Sequence, residues 1–195
     1  LTPVAGALLQ EAIDVAVILN ALRALSGARR PQPAADGSRS LGERFREEHV
    51  SLLPRVETLR TVADGLDKLA PDALRAALEE LRSFLDHDLI PHERQEDATV
   101  YPVVASLLGG DDPTGTMSRA HLEIAHQARL FGRLLDELPP GPLSTEDKTD
   151  LRRILYGSHA ILRLHFAQEE EQYLPLLSAG IEPVKSTGHP KPQRA

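Results

Sequence analysis

Two stretches carry the residue types best placed to do chemistry, HFAQEEEQYLP at 165–175 and HERQEDATVYP at 92–102. In each, a His is followed four residues later by a Glu, then by a second acid, and a Pro stands ten residues after the His. His92 pairs with His165, Glu96 with Glu169, Asp97 with Glu170 and Pro102 with Pro175, all at an offset of 73 residues. A fixed offset across an unusual residue set marks an internal repeat. On a helix, positions i and i+4 share a face, so each copy aims one imidazole and one carboxylate the same way.

Four helical patterns must position these groups. The first runs over 41–64, with Phe45, His49, Leu52, Leu53, Val56 and Leu59 on one face. The second opens at Pro71, a favourable first-turn residue, and continues to Leu108 with the stripe Leu78, Leu81, Leu85, His92, Glu96, Val100 and Val103. Pro91 is expected to kink this helix just before His92, and Pro102 to disturb its end. After the turn GGDDPTG, a third helix over 116–138 carries Met117, His121, Ile124, Ala128, Phe131 and Leu135. PPGPL then breaks the chain. A fourth helix, capped by Ser144 or Thr145 with Asp147 or Glu146 in its first turn, carries Leu151, Ile154, Leu155, Ile161, Leu162, His165, Glu169, Tyr173 and Leu176 and ends near Gly180. Long helices joined by short loops pack antiparallel, so the expected fold is all-α, an up-down-up-down four-helix bundle over 41–180. His49 and His121 lie 72 residues apart, in matching places of the two hairpins. Every helix thus contributes one inward His.

A single His on an apolar stripe is ordinarily a hydrogen-bonded core residue. Four of them beside two carboxylates are another matter, because an uncompensated buried carboxylate costs several kcal/mol, and no Lys or Arg occupies these stripes. A pair of divalent cations would compensate them. The sequence has no Cys, so ligands must be nitrogen and oxygen, and four imidazoles with two carboxylates suit iron first, then manganese or zinc. Glu96 and Glu169 are placed to bridge two ions from opposite helices. Ferritin-like dimetal bundles use Glu-x-x-His instead; the reverse order, richer in His, leaves a less anionic site with room for dioxygen.

These motifs resemble the His-x-x-x-Glu motifs of the hemerythrin-like (HHE cation-binding) family, over about residues 41–180. The resemblance implies a four-helix bundle around a non-haem di-iron centre that binds dioxygen or responds to iron and redox state. Its ligands, carried over, are His49, His92, Glu96, His121, His165 and Glu169. Hemerythrin proper has His-x-x-x-His on its third helix; here His121 is followed by Ala125 at that spacing and by His126 one residue later. Five residues turn a helix by about 140°, so His126 should miss the site unless a π-bulge intervenes. The family's last carboxylate stands five residues after its His, which would be Glu170; the inward stripe favours Glu169, with Glu170 the alternate. His87 and His159 lie off the stripes and read as surface or outer hydrogen-bonding residues. Tyr101 and Tyr173 could close the end of the pocket, and His189 should be solvated.

Residues 3–25 form an apolar run of about transmembrane length, interrupted by Gln10, Glu11, Asp14, Asn20 and Arg23. A membrane helix and an amphipathic soluble helix both fit; a secretory signal fits poorly, lacking a basic leading segment. GALLQEAIDVAVILNALRAL, residues 6–25, resembles the last transmembrane helix of heavy-metal-transporting P-type ATPases. This implies that the chain, which starts with Leu, is the C-terminal tail of a metal pump; the pump's DKTGT phosphorylation motif does not occur here. Arg23, Arg29 and Arg30 would place the following residues on the cytoplasmic side. Residues 26–40, rich in Pro, Gly, Ser and Arg, read as a linker, and 181–195 as a disordered tail. A net charge of −7 argues against nucleic acid as a general partner, and 4% aromatic content gives little support for a base-stacking surface. The expected function is therefore a cytoplasmic di-iron domain, binding dioxygen or another small ligand, attached to the membrane through residues 3–25 and regulating the ATPase domains of its parent. The alternatives are an iron or dioxygen store without signalling, and a peroxide- or nitric-oxide-reactive enzyme.

Overall fold

A computed structural model of the protein describes residues 36–179. The apolar segment 3–25, most of the expected linker and the C-terminal tail lie outside the described residues, and no described helix is long and apolar enough to cross a membrane. The elements are α1 (Asp36–Gly65), α2 (Pro71–Phe84), a π-helical turn (Leu85–Leu89), α3 (Ile90–Leu108), α4 (Gly115–Glu137), α5 (Thr145–Gln168), a second π-turn (Glu169–Tyr173) and α6 (Leu174–Ala179). No strand occurs among the described residues. Helix α1 begins inside the stretch read as linker, with Ser40 Oγ donating to the Gly37 carbonyl at 2.9 Å.

α2, the first π-turn and α3 form one column of the bundle, and α5, the second π-turn and α6 form another. Cross-links between columns show their directions. Arg55 meets Asp88 at 2.5 Å while Glu48 meets His92, so the first and second columns are antiparallel. Arg82 pairs with Asp136 at 2.6 Å and Asp97 accepts from Ser118 at 2.9 Å, reversing direction again. Asp67 holds Lys148 and Arg152 at one end of the first and fourth columns, and Gly42 abuts Leu177 at the other. The topology is up-down-up-down. Ser144 caps α5 with a reciprocal capping box: its Oγ accepts from Asp147 N–H at 3.0 Å, and Asp147 accepts from Ser144 N–H at 2.9 Å.

Just before Pro91 the second column contains a π-turn, which ends two residues before the proline, with Ile90 N–H donating to the Leu85 carbonyl. The second π-turn stands in the same relation to Pro175, with Leu174 N–H donating to Glu169. Proline crowds the carbonyl four residues back, and a turn widened to five residues relieves that crowding. Pro102 is absorbed within α3, which continues to Leu108.

The extra residue of a π-turn also moves the inward register. All six positions expected on the third helix are buried. On the fourth, Leu174 and Leu177 take the core positions expected of Tyr173 and Leu176, which are only half-buried. On the second, His92, Glu96 and Val100 keep the expected register past the first π-turn, and only at the end does Val104 rather than Val103 turn inward. The core has two parts. A large cluster includes Leu59, Leu78, Phe84, Phe131, Leu151 and Leu155, and a smaller one comprises Phe45, Val100, Tyr101, Val104, Met117, Leu174 and Leu177. Leu59→Ala, which empties a fully buried site, should destabilise the fold by about 2–5 kcal/mol, and Ser144→Ala by about 1 kcal/mol. Both should lower the urea midpoint while leaving the slope unchanged.

Candidate metal centre

Between the two apolar clusters lies a layer of seven ligand-type side chains. α1 supplies His49, α3 supplies His92, Glu93 and Glu96, α4 supplies His121, α5 supplies His165, and Glu169 opens the second π-turn. None is more than 5% exposed. Their donor atoms fall into two groups that could each hold a cation, Glu93, Glu96, His121 and His165 in one, His49, His92 and Glu96 in the other. Glu96 belongs to both: its Oε1 is 3.3 Å from His49 Nε2 and 3.6 Å from His92 Nε2, while its Oε2 is 3.6 Å from His121 Nε2. Glu169 spans the same gap from the opposite side, with Oε2 3.5 Å from His49 Nε2 and Oε1 3.4 Å from His165 Nε2.

All six residues expected from the sequence are thus brought together. The two alternates are not in the layer. His126 is exposed on a regular stretch of α4, and Glu170 sits behind His49, its Oε1 2.9 Å from Nδ1. Glu93 is the member that sequence reasoning missed. Its Oε2 lies 2.6 Å from His121 Nε2 and 3.1 Å from His165 Nε2. The available signal was helical spacing: Glu93 and Glu96 stand three residues apart, flanking the face that His92 shares. The second motif has Phe166 at that position, so comparing the copies concealed it. Among the remaining candidates, His87 is exposed, His159 contacts Glu57 at 3.2 Å outside the layer, and His189 lies outside the described residues.

Outer carboxylates orient two of the four imidazoles. His49 Nδ1 is bonded to Glu170, and His92 Nδ1 to Glu48 at 2.9 Å. A carboxylate only accepts, so each Nδ1 carries the hydrogen and each Nε2 presents a lone pair inward. His121 Nδ1 is 3.0 Å from Asp97 Oδ2, close but not aligned as a hydrogen bond. His165 Nδ1 has no partner. Aromatic rings close the walls: Phe166 stacks on His49 at 4.4 Å with 11° between planes, and Phe45 lies 5.5 Å from His92. Tyr101, buried, donates to Glu169 Oε1 at 2.5 Å, and its ring stands 6.2 Å from that of the half-buried Tyr173.

As a purely proteinaceous layer this arrangement is poorly satisfied. Both oxygens of Glu93 and of Glu96, Oε2 of Glu169, and Nε2 of His49 and of His92 are buried with no hydrogen-bond partner. Burial works against charge on His121, but the adjacent carboxylates of Glu93 and Glu96, with Oε2 atoms 2.6 and 3.6 Å from its Nε2, outweigh it and push the imidazole up to about 11. For Glu96, burial resists ionisation, but His121 and His49 overcome it and hold the carboxyl below its ordinary value. Burial and the charge of Glu96 push Glu169 the other way, upward. One of the two spanning carboxyls therefore keeps a proton unless a stronger positive charge replaces it. A pair of divalent cations more than offsets three carboxylates and gives every inward lone pair a partner. The close approach of His121 Nε2 to His165 Nε2, 2.9 Å, also places two nitrogen donors where a single ion could take both. The residues fit a dinuclear metal group.

The model of the family described as Hemerythrin HHE cation binding domain matches residues 40–177. Neither the curated proteins nor the solved structures include a match to this chain.

Replacing Glu170 or Glu48 by Ala should weaken metal affinity by about 10–100-fold without unfolding the protein, as measured by competition with a chelator. The metal-free protein should also respond to pH in a definite direction. His121 is raised from 6.5, so the stability it contributes is complete below pH 6.5 and is lost as pH rises towards 11. Urea midpoints of the metal-free protein should fall over that range. Metal binding must expel protons from His121 and Glu169, so affinity should rise with pH and proton release should appear in a weakly buffered titration.

Proposed function

The chain belongs to the hemerythrin HHE cation-binding family, and from that premise we propose that residues 40–177 hold two iron ions and bind dioxygen or respond to iron and redox state. The observation that carries the reading is the sealed layer of four imidazoles and three carboxylates with unpartnered donor atoms facing inward. Glu93, His121 and His165 would hold one ion and His49 and His92 the other, with Glu96 and Glu169 shared. Iron supplies the reversible electron transfer to a small ligand that imidazole and carboxylate cannot supply. The protein's own part is to fix the ligands, keep bulk water out behind Phe166, Phe45 and Tyr101, and hold a proton on the Tyr101 hydroxyl against Glu169. The His49–His92 end has one protein ligand fewer than the other, and that favours it as the position taken by dioxygen or another small ligand.

On the same reading the bundle is a cytoplasmic module joined to the membrane through residues 3–25. The resemblance of residues 6–25 to the last helix of heavy-metal P-type ATPases supports regulation of such a pump by the state of the iron centre. Transport by the whole pump that stayed the same with Glu96→Ala, at every iron and oxygen level, would remove the regulatory role.

Loading with ferrous iron without air should bind two ions per chain, and admitting air should produce charge-transfer absorption in the near-ultraviolet and visible. Glu96→Ala should abolish both, whereas Glu93→Ala should weaken mainly one ion. A folded protein that binds one ion or none and stays colourless would refute the di-iron reading.

A further inference from the structure

The closure of the layer raises the question of how an ion reaches it. One cleft, of about 260 Å³, has a member of the layer in its wall: His92 lines it together with Glu48, Ser51, His87, Asp88 and Gln95. Three further clefts, at Pro71–Leu143, Gln127–Gly157 and Leu85–Leu162, touch none of the seven. The chemistry of this wall is that of a weak cation site. No Lys or Arg lines it, although Arg55 holds Asp88 at 2.5 Å from one side. The first π-turn carries His87 into the cleft. His87 Nδ1 is 3.1 Å from the Ser83 carbonyl, and since a carbonyl only accepts, Nε2 is left with its lone pair free. Glu48 is one-third exposed at the cleft, with Oε2 bonded to His92 Nδ1 at 2.9 Å and Oε1 in a longer, exposed ion pair with Arg44 Nε at 3.5 Å that an arriving ion would displace. Behind it, His92 Nε2 is buried without a hydrogen-bond partner.

Resting on the two-ion reading above, we propose that this cleft is the loading port of the centre, where a divalent cation docks on His87 and Glu48 before passing His92 into the His49–His92–Glu96 group. An imidazole, a carboxylate and the Gln95 amide suit a borderline divalent ion. So weak a set would concentrate the ion at the mouth without retaining it.

The test follows cobalt(II) uptake by the metal-free full chain through its visible absorption in rapid mixing. Ser51→Phe fills the mouth and touches no layer residue; His87→Ala removes the dock. Each should slow uptake by about fivefold or more while the final stoichiometry stays at two ions, and His126→Ala, which removes an exposed His elsewhere, should not. Circular dichroism confirms that each variant is folded. Uptake by both folded cleft variants within twofold of the unsubstituted protein overturns the port and leaves the two-ion reading standing. An unsubstituted protein that takes up no cobalt overturns both.

Discussion

Burying three carboxylates and four imidazoles in one cross-section of a helical bundle is the constraint on which everything else depends. Such groups are tolerated in an apolar interior only when each finds a partner. Here the partners on the outer side are protein, Glu170 and Glu48 behind His49 and His92, while the inner atoms face one another across 3–4 Å. Without a cation the layer must hold protons to limit repulsion, as the upward shifts at His121 and Glu169 show. The long helices, the capping box of α5 and the two apolar clusters can be read as the frame that keeps this costly layer in register.

The internal repeat is symmetric in its spacing and asymmetric in one residue. After His92 comes Glu93, which faces His121 and His165; after His165 comes Phe166, which lies flat on His49. A ligand in one copy is a wall in the other. The two halves of the layer consequently differ in both charge and ligand count, the Glu93 side richer in oxygen and the His49–His92 side enclosed by rings. A dinuclear group held this way is inequivalent before any small ligand arrives.

How much of this could be read beforehand depended on periodicity. The third helix, free of proline and π-turns, matched its expected stripe at every position from Met117 to Leu135. The meeting of His49, His92, Glu96, His121, His165 and Glu169 followed from simple i, i+4 geometry on four antiparallel columns. Two things did not follow. Glu93 was hidden because comparing the copies rewards shared residues, and its counterpart is Phe. The burial of Leu174 and Leu177 was displaced by one residue because a π-turn inserts a step that no 3.6-residue count contains. Both surprises are local departures from regularity beside the polar layer, where the backbone serves ligand geometry instead of its own hydrogen-bond ladder.

The polar layer also divides the bundle mechanically. On its far side lies the deep apolar body, and on its near side only a small cluster, to which Phe45, Leu174 and Leu177 belong. Asp36 and Ala179, where the described chain begins and ends, lie at that near end, with Gly42 against Leu177 and Arg46 within 3.4 Å of Ser178. The layer therefore separates a large apolar cluster from a small one. Far fewer side chains pack on the near side, and Phe45 against His92 and the turn leading from Glu169 to Leu174 join the ligands to that small cluster directly.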